Sequence, residues 1–113
     1  MADKNNVWVF IQQDDGKIVD VSLELVCKAR ELANKLKVGV NGVLIGDNMK
    51  AEAEKLFQYR CDELFLVEDS RLKNYQPVPY TKIMVDLIRK HEPQIVLYGA
   101  TTVGRDLGPR VAS

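Results

Sequence analysis

Histidine, cysteine and tryptophan are scarce in this chain of 113 residues: there are one, two and one of them. A single histidine, His91, excludes a multi-histidine metal site within the chain, because ligating histidines come in groups. Its place near a helix end predicts a cationic or capping role instead. Cys27 and Cys61 lack the C-x-x-C spacing of a redox or zinc pair. Both are predicted to be packed thiols in a reducing compartment. Charge of one sign is also missing: sixteen Lys and Arg balance sixteen Asp and Glu. A nucleic-acid binder normally carries a basic excess, so only a local patch remains open. Apolar runs reach about five residues, against the ~20 that span a bilayer. Met1 to Asn6 shows neither a signal peptide's charged and apolar regions nor an Arg-rich transit pattern, so a cytoplasmic protein is expected. No Ser/Cys–His–Asp arrangement has motif support, and no catalytic residue is assigned.

What the chain does have is alternation of strand and helix patterns. Val7-Trp8-Val9-Phe10-Ile11 is a continuous β-branched and aromatic run, the mark of a strand buried on both faces. Asp15-Gly16 predicts a hairpin turn, with Ile18 to Val21 as its returning strand. Ser22 is the expected N-cap of a helix whose apolar stripe is Leu25, Ala29, Leu32 and Leu36, widened by Val26 and Ala33. Gly39 is expected to close that unit. Val40 to Gly46 reads as a strand, and Asp47 or Asn48 as the cap of a second helix. Glu63 to Glu68 is a third strand. Asp69 to Pro79 reads as a long loop, whose Tyr75, Pro77, Pro79 and Tyr80 form either a contact surface or a packed loop. Tyr80 to His91 is a helix, and Gln94 to Gly99 a fourth strand. The predicted fold is α/β, three layers with a mainly parallel sheet between helices.

Binding crevices in such sheets lie at the C-terminal ends of the strands. The loops there are Gln12–Gly16, Gly46–Asn48 and Gly99–Arg105. The last is the most pointed. Gly99 permits a close turn, Thr101 and Thr102 place hydroxyls at a helix entrance, and Arg105 adds a planar donor. Gly99-x4-Gly104 mimics the start of a P-loop, but Arg105 and Asp106 stand where Lys and Ser/Thr are required. No G-x-G-x-x-G follows the first strand. Gly99, Thr101, Thr102 and Arg105 therefore admit two readings: an anion contact, or capping with a structural or interface arginine. Asp14 and Asp15 are read as turn residues. Val103, Leu107 and Val111 lie at helical spacing, and Ser113 arrives before any breaker. The expectation is a domain of 1–113 cut in or near its last helix, with Leu107 and Val111 exposed and stability reduced.

Several segments together resemble one family. Val7 to Ile11, Asp15-Gly16-Lys17, Val21 to Leu25, Lys28 to Ala33 and Pro79-Tyr80-Thr81-Lys82 resemble the start of electron transfer flavoprotein alpha subunits. The most specific match is Gly99-Ala100-Thr101-Thr102-Val103-Gly104-Arg105-Asp106-Leu107, followed by Pro109-Arg110-Val111-Ala112. Gly108 departs from the family's usual alanine. The resemblance implies the N-terminal α/β domain of a subunit that pairs with a beta subunit. Together they form an FAD-containing electron carrier, not an enzyme with its own turnover. It would accept electrons from dehydrogenases such as acyl-CoA dehydrogenases and pass them on; some members bifurcate electrons from NADH. The family's FAD-binding C-terminal domain is absent from these residues, so tight FAD binding is not expected. AMP or a second FAD belongs to the beta subunit. The segment's implied role is scaffold and interface, with Gly99–Arg105 packing between domains or subunits. The alternative is a standalone AMP- or ATP-binding module of the universal-stress-like, adenine-nucleotide alpha hydrolase-like topology.

Overall fold

The computed structural model describes residues 5–113. The elements around the centre answer to one fact: β1 (Val7–Ile11) is apolar at every position and buried at every position. Side chains alternate across a strand, so β1 needs an apolar layer on both sides. Val7, Val9 and Ile11 face one layer, with Val26, Ala29, Ala33 and Leu56. Trp8 and Phe10 face the other, with Tyr80, Met84 and Leu107.

The chain supplies those layers in sequence. After β1 comes a small antiparallel hairpin of β2 (Gln13–Asp14) and β3 (Lys17–Ile18). Asp15 and Gly16 both take positive φ at its turn, 52° and 84°. The helix α1 (Asp20–Leu36) leads to β4 (Val40–Gly46), and α2 (Lys50–Phe57) leads to β5 (Glu63–Glu68). A short 3-10 turn, Ser70–Leu72, precedes α3 (Pro77–His91), then β6 (Ile95–Leu97) and α4 (Thr102–Ala112). The sheet order is β5-β4-β1-β6, and all three pairings are parallel. In register, Val7 stands opposite Val40 on one side and Ile95 on the other. Helices α1 and α2 contribute to one layer, α3 and α4 to the other. This is the predicted three-layer α/β/α architecture. Asn6 and Asn41, buried at the strands' N-terminal ends, satisfy each other through a 2.8 Å side-chain bond.

Several boundaries differ from the sequence expectation, each for a local reason. Helix α1 begins at Asp20, so β3 is only two residues long and Ser22 is inside the first turn. Ser22 is buried and accepts a hydrogen bond from the Gln12 N–H. The buried stripe of α1 is Ser22, Val26, Ala29 and Ala33; Leu25 and Leu32 flank it and Leu36 is exposed. Small residues take the centre because helix and sheet approach closely there. The helix ends at left-handed Lys37, φ 59°, ahead of Gly39. Neither Asp47 nor Asn48 caps α2. The Glu68 carboxylate, arriving from β5, accepts the Met49 N–H at 2.8 Å.

The long loop is shorter than predicted, because Pro77 and Pro79 open α3, where proline's fixed φ and missing N–H are harmless. Tyr80 is buried, and its hydroxyl donates to the Leu72 carbonyl at 2.6 Å. Tyr75 packs edge-on against it with ring centres 5.1 Å apart, so these residues form a packed loop, although Val78 is 77% exposed. His91 does not close α3; left-handed Glu92 does, its N–H bonding Ile88 O. The His91 ring packs on Phe65, centres 4.6 Å apart. Cys61 is buried as predicted, and burial pushes its thiol up to about 11. Cys27 is exposed, on the outer side of α1, contrary to the packed reading. Leu107 is fully buried and Val111 half-buried, so α4 packs its apolar face on the Trp8 layer, contrary to the expected exposure.

Ile11→Ala removes a wholly buried side chain from β1 and should lower stability by about 2–5 kcal/mol. Val78→Ala, on the surface, should change it by less than about 0.5 kcal/mol. Urea denaturation of the two variants side by side checks the contrast.

Candidate functional site

The chain leaves β1 in one direction through α1 and returns on its other side through α3 and β6. The sheet's switch point therefore lies between the C-terminal ends of β1 and β6. Gln12 follows β1 there, and Gly99 to Thr101 follow β6. These are the places where the sequence put its binding loops.

Thr101 is the N-cap of α4, in extended conformation with φ −119°. Its hydroxyl accepts the Gly104 N–H at 3.0 Å and donates to Gln12 Oε1 at 2.6 Å. Gln12 is itself fixed from three sides. Its N–H goes to Ser22, its carbonyl accepts from Val19 and its amide group donates to Asp14. Gly104 is buried, and a Cβ there would collide with the backbone of Gly99. Helix α4 thus starts directly against the turn that ends β6, which only glycine permits. The Arg105 N–H is already helical, bonded to Thr101 O at 2.9 Å. Of the four residues singled out, Gly99 and Thr101 come together, with Gly104, as one cap. Thr102 and Arg105 stand exposed on the first turn, and the Arg105 guanidinium has no ion-pair partner among the described residues.

Of the first N–H groups of α4, that of Gly104 is taken by the Thr101 hydroxyl and that of Arg105 by the Thr101 carbonyl, and the Gln12 side chain reaches the same hydroxyl across the strand ends. Asp14 and Asp15 serve the hairpin turn. Among the described residues no group of three or more His, Cys, Asp or Glu is gathered to hold a metal. Beside the turn, a shallow cavity of about 330 Å³ is lined by Val21, Leu25 and Tyr98. Burial pushes the Tyr98 hydroxyl up to about 12, which keeps it neutral.

Within the predicted Gln12–Gly16 loop the sequence singles out neither glutamine, yet both are tied into the structure. Gln13, next to Gln12, is buried; it donates to Lys73 O at 2.8 Å and accepts the Gly16 N–H at 2.9 Å. It ties the hairpin to the loop after β5. Glutamine carries no motif, but its position directly after a fully apolar strand marks the strand's binding end. Further along α4, Asp106 accepts from the Tyr75 hydroxyl at 2.6 Å and from Arg110 Nε at 3.0 Å. Those bonds, Tyr75 first, hold its carboxyl below the usual range. Asp106 is therefore a clamp between α4 and the loop before α3.

The sequence family described as "Electron transfer flavoprotein domain" matches residues 7–113. The chain is 39% identical over 113 residues to the electron transfer flavoprotein subunit alpha of Thermoanaerobacterium thermosaccharolyticum, covering 100% of this chain and 34% of that protein. It is 43% identical over 118 residues to Protein FixB of Rhizobium meliloti, covering 98% of this chain and 33% of that one. It is 34% identical over 108 residues to the acryloyl-CoA reductase electron transfer subunit beta of Anaerotignum propionicum, covering 96% and 29%. The chain spans about a third of the length of the curated relatives it matches.

Thr101→Ala should cost about 0.5–2 kcal/mol, the usual range for a lost N-cap. A double-mutant cycle with Gln12→Ala should show coupling of about 0.5–3 kcal/mol, since the two side chains share one bond. The Asp106 carboxyl is depressed in the folded state, so its stabilisation is complete above its ordinary value of 3.8 and is lost as pH falls through the lower folded value. Asp106→Asn should therefore flatten the acid limb of the stability curve below about pH 4, measured by urea midpoints across pH.

Proposed function

The chain belongs to the electron transfer flavoprotein family, and from that premise we propose that it is the scaffold portion of an alpha-type subunit in a heterodimeric, FAD-containing electron carrier. The family match across residues 7–113 carries this reading. The partner would be an electron transfer flavoprotein beta subunit, and the donors dehydrogenases of the acyl-CoA type. One relative's own name, the electron transfer subunit of an acryloyl-CoA reductase, supports an acyl-CoA-linked role.

Within such a carrier the flavin supplies the redox chemistry, and the protein binds, orients and shields it. The bond between Gln12 and Thr101 across the switch point supports a scaffold role for these residues. FAD would be held by parts of the protein beyond this domain, and AMP or a second FAD by the beta subunit. The cap formed by Gly99, Thr101 and Gly104 fixes the start of α4. That leaves Arg105, exposed and without an ion-pair partner among the described residues, for a domain or subunit contact. Arginine suits that task because its planar fork binds carboxylates and backbone carbonyls at an interface. The subunit would be an electron carrier's frame, with no turnover of its own.

The alternative, a standalone AMP- or ATP-binding module, makes the opposite demand on the same loop. Titration calorimetry of the chain with AMP, ATP and FAD separates them. The scaffold reading expects no saturable binding of any of the three. Tight AMP or ATP binding abolished by Arg105→Ala would overturn it.

A further inference from the structure

The chain has four tyrosines, Tyr59, Tyr75, Tyr80 and Tyr98. The last three share one layer with Phe10. Their rings form a line. Tyr98 lies 6.0 Å from Phe10, Phe10 6.4 Å from Tyr80, and Tyr80 5.1 Å from Tyr75, centre to centre. The line starts beside the switch point, at the end of β6, and finishes in the loop before α3. Such spacings are ordinary for packed aromatics. What distinguishes the far end is the partner of its hydroxyl.

Tyr98 Oη is buried and has no hydrogen-bond partner among the described residues. Tyr80 donates to a backbone carbonyl, Leu72 O, at 2.6 Å. A carbonyl is too weak a base to take the proton. Tyr75 donates instead to the Asp106 carboxylate at 2.6 Å, the length of a charge-assisted O–H···O⁻ bond. A phenol gives up an electron readily only when its proton leaves as well, because an oxidised phenol is a very strong acid. A carboxylate already bonded to the hydroxyl is a proton acceptor in place. The clamp between α4 and the loop accounts for the bond alone. It does not account for the bond standing at the end of a continuous line of rings.

We propose that the Tyr75–Asp106 pair is a one-electron redox site, where oxidising equivalents that reach the aromatic line come to rest. The oxidant is a one-electron acceptor outside this chain. Tyr75 loses one electron to it, the Oη–H bond breaks, and the proton passes to Asp106 Oδ2. The products are a neutral tyrosyl radical, a carboxylic acid and the reduced oxidant. Return of one electron from a reductant sends the proton back. An electron vacancy on Tyr80 moves to Tyr75, since only there does the proton have a base to go to. Asp106 and Arg110 face the Tyr75 hydroxyl from α4, and Tyr80 faces it from α3. Burial, and then Asp106, push that hydroxyl up to about 12, so the phenol keeps its proton until it is oxidised. This inference goes beyond the scaffold reading and does not depend on it.

The test oxidises the chain with flash-generated tris(bipyridine)ruthenium(III). Transient absorbance and electron paramagnetic resonance follow the tyrosyl radical. All variants carry Tyr59→Phe, so that the exposed phenol does not compete, and urea denaturation establishes that each is folded under the assay conditions. The proposal expects radical formation at a rate that is flat from about pH 5 to 9, because the acceptor is a carboxylate throughout. Tyr75→Phe should cut the radical formed by about tenfold or more, and Asp106→Asn should slow its formation by about as much. In Asp106→Asn the rate should also rise with pH, since solvent must then take the proton. Asp106→Glu should restore the flat profile. A radical that resides on Trp8, Tyr80 or Tyr98 while Tyr75 is present overturns the proposal. So does an unchanged rate and pH profile in Asp106→Asn, which leaves the bond a structural tie only.

Discussion

Removal of β1 from water on both faces is the constraint on which the rest depends. Five consecutive residues, Val7 to Ile11, are 3% exposed or less. Burying a side chain of this kind is worth about 1.5–3 kcal/mol relative to exposure. Five of them compare with the whole net stability of an ordinary domain, about 5–15 kcal/mol. No single helix covers both faces of a strand, so the chain must return on either side. The parallel pairings to β4 and β6 and the segregation of α1 and α2 from α3 and α4 follow from that requirement. Parallel neighbours need crossovers, and helices are the crossovers available.

The same burial sets the chemistry at the end of β1. A strand that emerges from a dry core must satisfy its next polar groups at once. Gln12 does so through Ser22, Val19 and Thr101, and Gln13 through Lys73 and Gly16. At the switch point the protein's own amides reach across the strand ends. Gly104 and Gly99 approach closely from the α4 side. The polar network that looks most like a binding loop in sequence also fixes α4 to the sheet.

Layer order and the burial of Trp8 were legible in the sequence because both rest on periodicity over several residues. The continuous run of β1 and the alternation of strands with helices left few topologies open. Helix starts were less legible. Ser22 has the chemistry of a cap, but Gln12, ten residues earlier, claims its hydroxyl. The cap of α2 comes from Glu68, nineteen residues after the N–H it binds. Such long-range caps leave no local signature. The site shows the same division. Gly99, Thr101, Thr102 and Arg105 stood out through local loop chemistry, whereas Gln12 acquires its role only when β1 and β6 lie side by side, and Gln13 only when β1 meets β4 and the loop after β5. Cys27 was misplaced for a simpler reason: a thiol's general preference for burial says nothing about which side of α1 carries it.

Net charge illustrates how a composition can conceal a surface. Zero is a sum over faces, and a sum has no direction. The balanced α1/α2 side and the cationic α3/α4 side are both compatible with it, and only the topology assigns each charge to a face. The fold also explains why the asymmetry is tolerable. Exposed like charges on one side are screened within about 10 Å at moderate salt, so the excess on α3 and α4, five cations against two carboxylates, costs little in the isolated domain. Burial builds the frame from apolar residues, and the charges that the frame does not need stand outside it, unevenly between its two helical layers.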